Sequence, residues 1–148
     1  MHISEILTPE RILYNVNTTN KKGALQELSR LLANAQPALT CREIFDSLNA
    51  RERLGSTGLG NGIAIPHGHI KHVDKPIAAF LRLKSGIDFD SLDQEPVDLL
   101  FALLVPEGSA DQHLQILARL AEMFCNDSLL NHLRLESSAE GIYTLLTD

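Results

Sequence analysis

The sequence predicts an α/β protein, a small mixed sheet with helices on both of its faces. Three observations point there. Residues 97–105 (VDLLFALLV) form a nearly continuous apolar run, the pattern of a central strand covered on both sides. Stretches with apolar residues at helical spacing both precede and follow the strand-rich centre. The chain has 148 residues, 44 % of them hydrophobic and 22 % charged, which is enough to bury one core and is not the composition of a disordered segment.

The elements follow in order. Ile12, Tyr14 and Val16 alternate with Arg11, Leu13 and Asn15, which predicts a short strand after Thr8-Pro9. Leu25, Leu28, Leu31 and Leu32 predict a helix over residues 21–33. The next helix starts at a capping box of Thr40 and Glu43, with Leu39 and Ile44 at the staple positions, and it should run to about Arg53 and stop at Gly55. Residues 62–66 and 77–83 read as strands, and Pro106 to Gly108 ends the run at 97–105. Ser109 and Gln112 then predict a capping box for a helix carrying Leu114, Leu117, Leu120 and Phe124. Asp127 is the predicted cap of a helix with Leu129, Leu130 and Leu133, and Ser137 with Glu140 the box of a final one with Ile142, Leu145 and Leu146. No internal repeat or linker-like tract divides the chain.

Composition also excludes classes of function. Thirteen Lys and Arg against nineteen Asp and Glu leave a net charge of −6, unsuited to the phosphate backbone of a nucleic acid or to an anionic membrane surface. A basic protein partner would be tolerated. No run reaches the roughly 18–20 apolar residues of a membrane span, and the N-terminus lacks the layout of a signal peptide. Cys41 and Cys125 lack C-x-x-C spacing, so no disulfide scaffold is indicated. These features predict a cytoplasmic protein.

The residues with chemistry sit close together. Gly55, Gly58, Gly60 and Gly62 follow a predicted helix and precede a strand, the reverse of a dinucleotide fingerprint, and no Lys-Ser/Thr follows as in a P-loop. Two readings stay open: a permissive connection, or an anion site lined by loop N–H groups and the Ser56 and Thr57 hydroxyls. His67, between Pro66 and Gly68 at a strand end, is well presented as a nucleophile, because an ordinary imidazole is mostly neutral at pH 7. His113 falls in the first turn of its helix, about 40° around from Leu117 at 100° per residue, where unpaired N–H groups favour an anion. Arg51, at the end of its helix, either contacts the last carbonyls or grips phosphoryl oxygens, and Arg53 is an equivalent candidate. Glu52 reads as a solvated charge, and His69 and His72 as solvent-facing loop residues; His2 and His132 read as surface residues. The alternative use of His67, His69 and His72 is an H-x-H-x-x-H metal site of a hydrolase, for which no further ligand is evident.

Residues 50–68 (ARERLGSTGLGNGIAIPHG) closely resemble the active-site signature of the fructose/mannitol-type enzyme IIA domains of the bacterial phosphoenolpyruvate-dependent phosphotransferase system. Residues 97–106 followed by Asp111-Gln112-His113-Leu114 are similar to the same family, so the resemblance covers nearly the whole chain. It implies one enzyme IIA type-2 domain over residues 1–148, folded as a three-layer α/β/α sandwich with a mixed, mostly parallel sheet. It implies that His67 accepts a phosphoryl group from the phosphohistidine of a small histidine-containing phosphocarrier protein, on Nε2. It implies that His113 stabilises the transferred group and that Arg51 is the phosphoryl-contacting cation, with no cofactor and no metal. Within the family, the wording from Gly55 to Gly68 looks more like the nitrogen-regulatory branch, which controls target proteins through its phosphorylation state, than like a sugar-specific enzyme IIA that passes phosphate to a IIB domain. The absence of a fused IIB, membrane or carrier domain in 148 residues is a further expectation on that side.

Overall fold

The computed structural model describes residues 2–148. Six strands form one sheet: β1 (Ile12–Val16), β2 (Gly58–Gly60), β3 (Ile63–Ala64), β4 (His67–Ile70), β5 (Ile77–Ile87) and β6 (Val97–Pro106). Five helices flank it: α1 (Lys21–Ala35), α2 (Cys41–Arg53), α3 (Ala110–Met123), α4 (Asp127–Leu135) and α5 (Ala139–Thr147). The strand order is β1-β5-β6-β3-β2, and β4 also pairs with β6. The pairs β1·β5, β3·β6 and β4·β6 are parallel, while β5·β6 and β2·β3 are antiparallel. The mixed, mostly parallel sheet and its two helical layers agree with the expected sandwich.

Alternation along the central strands builds both cores. Ala79, Leu81, Leu100, Ala102 and Leu104 face α1 and α2, where Leu25, Leu28, Leu32, Ile44 and Leu48 are buried. Ala78, Phe80, Leu99, Phe101, Leu103 and Val105 face the other layer, against Ile116, Leu120, Phe124, Leu130, Leu133, Ile142 and Leu146. Every residue of β6 from Leu99 to Val105 is fully buried, which is why this strand carries no polar alternation there.

Local signals fix some helix ends as expected and displace others. The Thr40–Glu43 box forms in both directions, over a buried Leu39 and Ile44. At α3, Ser109 makes no side-chain cap bond, because its backbone (φ −101°, ψ 45°) is not in the extended region that aims a cap hydroxyl at the third N–H. The cap of α4 is Asn126 rather than Asp127, and that of α5 is Ser138 rather than Ser137; in each case the side chain accepts from the N–H three residues on. Arg82, buried on β5, donates to the Leu133 and Glu136 carbonyls and so closes the far end of α4.

The glycine-rich segment is a hairpin. Asn61 (φ 58°) and Gly62 (φ 82°) form the two-residue turn between β2 and β3, with both φ values positive as such a turn requires. Beyond it, β3 and β4 run along the same edge of β6 in unbroken register, Ile63 opposite Leu99 and His67 opposite Leu103, interrupted only at Ile65-Pro66. The expected strand over 62–66 is therefore shortened to Ile63–Ala64, and His67, expected just past a strand end, opens a strand of its own.

The free edge of β4 is covered by α2. The Ser47 hydroxyl donates to the His69 carbonyl at 2.9 Å. Gly68 makes this approach possible, since a Cβ there would overlap the Ser47 side chain and lie 3.2 Å from its carbonyl oxygen. Gly68→Ala should force α2 off the strand and destabilise the protein by about 1–3 kcal/mol, read as a lower urea midpoint; an unchanged midpoint would show that α2 is not seated this tightly.

Candidate functional site

Three elements meet at the start of β4. His67 and His69 point to the same face of the strand, toward α3, while Gly68 and Ile70 face α2. His113, four residues into α3, stands edge-to-face against both imidazoles, with ring centroids 5.0 Å from His67 and 4.5 Å from His69. Arg51 lies one turn beyond Ser47 on α2 and so reaches the same place around the open edge of the sheet. Together Arg51, His67, His69 and His113 line a cleft of about 550 Å³ whose mouth carries the exposed Leu54. A smaller cleft of about 220 Å³ touches His67 from the β2 side, between Leu59 and Leu117.

Hydrogen bonding assigns the nitrogens of His67. Its Nδ1 lies 2.7 Å from the Ile65 carbonyl oxygen. A carbonyl only accepts, so Nδ1 carries the proton and, in the neutral ring, Nε2 carries the lone pair. The residue is 8 % exposed and lines both clefts, so it is largely desolvated without being sealed. Burial holds its pKa below the ordinary histidine value; the Ile65 bond opposes this, and the Arg51 charge adds to the lowering. His113 is pushed down to about 4, first by burial and then by His67, His69 and Arg51. Both rings are thus neutral at pH 7, beside a guanidinium.

The other candidates are sorted by the structure. Arg51 is half-buried and donates Nη1–H to the Gly55 carbonyl at 2.8 Å, the end-of-helix contact expected of it. Arg53 is exposed and lines a different groove, between α1 and α2. Glu52 is not a solvated charge. It is buried, paired with Lys21 at 2.8 Å, and it accepts from the Thr57 hydroxyl and the Thr57 N–H. A buried carboxylate needs such partners, and these tie the glycine segment to α1 and α2. The Ser56 hydroxyl is used as well, donating to the Phe89 carbonyl at 2.7 Å. The two hydroxyls of the anion-loop reading are therefore spent on the chain itself.

His69 corrects the expectation of a loop residue: it lies within β4, and its Nε2 is 2.9 Å from His113 Nδ1. His72 is exposed in the bend after the strand, with φ 69°. Among the described residues no group of three or more His, Cys, Asp or Glu side chains is arranged to hold a metal ion, so the H-x-H-x-x-H reading gains no geometric support. Nor, among the described residues, is any helix long and apolar enough to cross a membrane. Sequence reasoning missed Glu52 as an anchor and His69 as a partner of His113. The signal for the first was Thr57 five residues on; the second depends on a contact between residues 44 positions apart.

Known proteins share this sequence pattern and this fold. The family model for the phosphoenolpyruvate-dependent sugar phosphotransferase system, EIIA 2, matches residues 5–148. A nitrogen regulatory protein of Pseudomonas aeruginosa is 44 % identical over 148 residues, covering 100 % of this chain and 96 % of the relative. A fructose-specific EIIA component of Haloferax volcanii is 35 % identical over 146 residues, covering 99 % of this chain and 95 % of the relative. The crystal structure of the nitrogen regulatory protein IIA-Ntr from Neisseria meningitidis superposes with a TM-score of 0.92 at 40 % identity, covering 98 % of this chain and 99 % of that one. The chain belongs to the EIIA 2 family of the phosphoenolpyruvate-dependent sugar phosphotransferase system, phosphotransferases that carry a phosphoryl group on a histidine.

Proposed function

We propose that residues 1–148 act as one phosphoryl-carrier domain in which His67 is the acceptor, Arg51 and His113 hold the transferred group, and the phosphorylation state regulates other proteins. The observation that carries the site is the His67 Nδ1 bond to Ile65, which leaves Nε2 as the nucleophile. The donor is a histidine-containing phosphocarrier protein. Exposed Leu54 and Leu59 line the two clefts, and exposed Leu114 follows His113 on α3; together they supply apolar surface on which such a protein can dock.

The chemistry follows from the geometry. The Nε2 lone pair attacks phosphorus in line; the N–P bond to the donor imidazole breaks, and that ring leaves with the electron pair. Substitution at Nε2 leaves the His67 ring with a proton at Nδ1 and a positive charge, which the Ile65 carbonyl stabilises where it stands. The transition state spreads negative charge over three oxygens, and no bond to the protein need form there except hydrogen bonds. Arg51 gives up little to help. A charged hydrogen bond such as that to Gly55 contributes about 1.5–3 kcal/mol, whereas a guanidinium about 4 Å from each phosphoryl charge gains about 4 kcal/mol at an effective dielectric constant of about 20. The phosphoryl group therefore wins the arginine.

The regulatory role rests on likeness: the Pseudomonas aeruginosa and Neisseria meningitidis proteins are named nitrogen regulatory, at 44 % and 40 % identity. The fructose-specific Haloferax volcanii relative, at 35 %, favours the second reading, a sugar-specific EIIA that passes the group to a IIB domain. Transfer from the purified protein to a sugar IIB domain as fast as its loading by the phosphocarrier would establish that second reading and refute the first.

Incubation with phosphoenolpyruvate, enzyme I and the phosphocarrier should yield one acid-labile, base-stable phosphate per chain, absent in His67→Ala. Label retained by that variant would move the acceptor elsewhere. Arg51→Ala should slow loading by about 10²-fold, the low end for loss of one charge-stabilising donor, with a lower melting temperature from the lost Gly55 bond but a folded protein at the assay temperature; an unchanged rate would return Arg51 to a helix-end role.

The depressed histidines give a pH signature. Ring-proton spectra should show His67 titrating below 6.5 and His113 near 4, both moving up in Arg51→Ala. Below pH 6.5 the unfolded chain binds a proton that folded His113 refuses, so this contribution to stability is complete above 6.5 and lost as pH falls toward 4. Urea unfolding at stepped pH should show that loss, and a shallower one in His113→Gln; equal slopes would place the proton uptake on other groups.

A further inference from the structure

We propose that His69 is a positioning residue: its Nε2–H donates to His113 Nδ1 and thereby holds His113 in the tautomer whose Nε2–H serves the phosphoryl group. The proposal rests on the assignment of His67 as acceptor made above.

One contact and one orphan atom carry it. His113 Nδ1 lies 2.9 Å from His69 Nε2, so a single proton is shared between them. The other ring nitrogen of His113, Nε2, is buried and without a hydrogen-bond partner, in a residue only 7 % exposed. Buried polar atoms without partners are rare, and one on a residue that lines a cleft with His67 and Arg51 points to a ligand that supplies the partner. A neutral imidazole has one N–H and one lone pair, so the direction of the His69 bond decides which of these the ligand meets.

Two arguments fix that direction. If His113 donated from Nδ1, its Nε2 would present a lone pair in the same cleft as the His67 Nε2 lone pair, and later to the phosphoryl oxygens; all of these repel. If His69 donates, His113 Nε2–H is a donor for the phosphoryl oxygens. The second argument is burial: the His113 ring stays neutral down to about pH 4 and so keeps a lone pair with which to accept, while His69 is exposed and can turn an N–H toward it. The strand makes the arrangement rigid: His69 sits two residues from His67 on the same face of β4, and its own carbonyl is held by Ser47. His113 is therefore oriented by the same strand that carries the nucleophile.

The test uses protein labelled with 15N-histidine and long-range proton–nitrogen correlation at pH 7.5, together with rates of phosphoryl loading from the phosphocarrier. The expected result is that wild-type His113 is protonated at Nε2, and that His69→Ala moves a substantial fraction of the proton to Nδ1. Loading by His69→Ala should fall about tenfold, less than the roughly 10²-fold or more for deleting a donor outright, at an unchanged melting temperature. His69→Gln, whose amide N–H can stand in for Nε2–H, should restore both the tautomer and most of the rate. Protonation of wild-type His113 at Nδ1, or an Nε2–H tautomer indifferent to His69→Ala, overturns the proposal. If no phosphate forms on wild-type His67, the acceptor assignment falls, while the spectra still decide the tautomer independently.

Discussion

The 2.7 Å hydrogen bond from His67 Nδ1 to the Ile65 carbonyl is the constraint on which the site depends. It exists because the strand is broken in one place. Pro66 has no N–H, and β3 ends at Ala64 while β4 begins at His67, yet both keep one register along β6. The Pro66 carbonyl still accepts from Leu103 on the β6 side. The Ile65 N–H is turned the other way, to the Thr57 carbonyl, and the Ile65 carbonyl shares that outward side, just where β2 has ended. A carbonyl at an unpaired sheet edge is a costly thing to bury, and the imidazole two residues on satisfies it. One break in pairing thus produces both an available acceptor and an assigned tautomer.

Charge is then arranged around a neutral ring. The cleft holds one guanidinium and three imidazoles, and burial keeps His67 and His113 uncharged. The carboxylate nearest in sequence to Arg51, Glu52, is engaged by Lys21 and Thr57, and its charge opposes that of Arg51 in setting the His67 pKa. Had Glu52 been free, it would have competed with the phosphoryl group for Arg51. Its burial keeps the arginine available, whose hydrogen-bond partner among the described residues is the Gly55 carbonyl. The Lys21 ammonium that neutralises Glu52 is also set over the Phe89 ring, so the pair is held by the core of the α1–α2 layer as well as by charge.

What the sequence discloses is mostly local. The Thr40–Glu43 box and the apolar stripe of α2 involve residues three and four apart, and both form. The caps at Asn126 and Ser138 differ by one residue from the expected ones because Asn126-Asp127 and Ser137-Ser138 each offer two cap-forming side chains, and only the backbone conformation chooses between them. Ser109 has the right side chain and the wrong ψ. The Asn61-Gly62 turn is written in the sequence but hidden among neighbouring glycines. His67, His113 and Arg51 are legible as candidates through their motifs, since an exposed loop or helix end does not otherwise distinguish them. Their convergence is not legible, because it depends on packing between α2, β4 and α3. His69 and Glu52 show the same limit: their roles come from His113 and Lys21, which lie 44 and 31 positions away.

The two helical layers contribute to the site from opposite faces of the sheet. His113 comes down on β4 from the α3 side, while Arg51 comes around the free edge from the α2 side. Ser47 seated on Gly68 sets the height of α2, and the edge-to-face imidazoles set the approach of α3. Neither layer alone therefore assembles the site. A shift in either one moves Arg51 or His113 relative to the His67 Nε2, on a strand whose position is set by β6. Partner proteins that press on the exposed Leu54 of the α2 end or the exposed Leu114 of α3 would act on those two positions directly. In the other direction, on the function proposed above, a phosphoryl group that drew Arg51 from Gly55 would change the surface beside Leu54, and a partner would then read the phosphorylation state without contacting phosphorus.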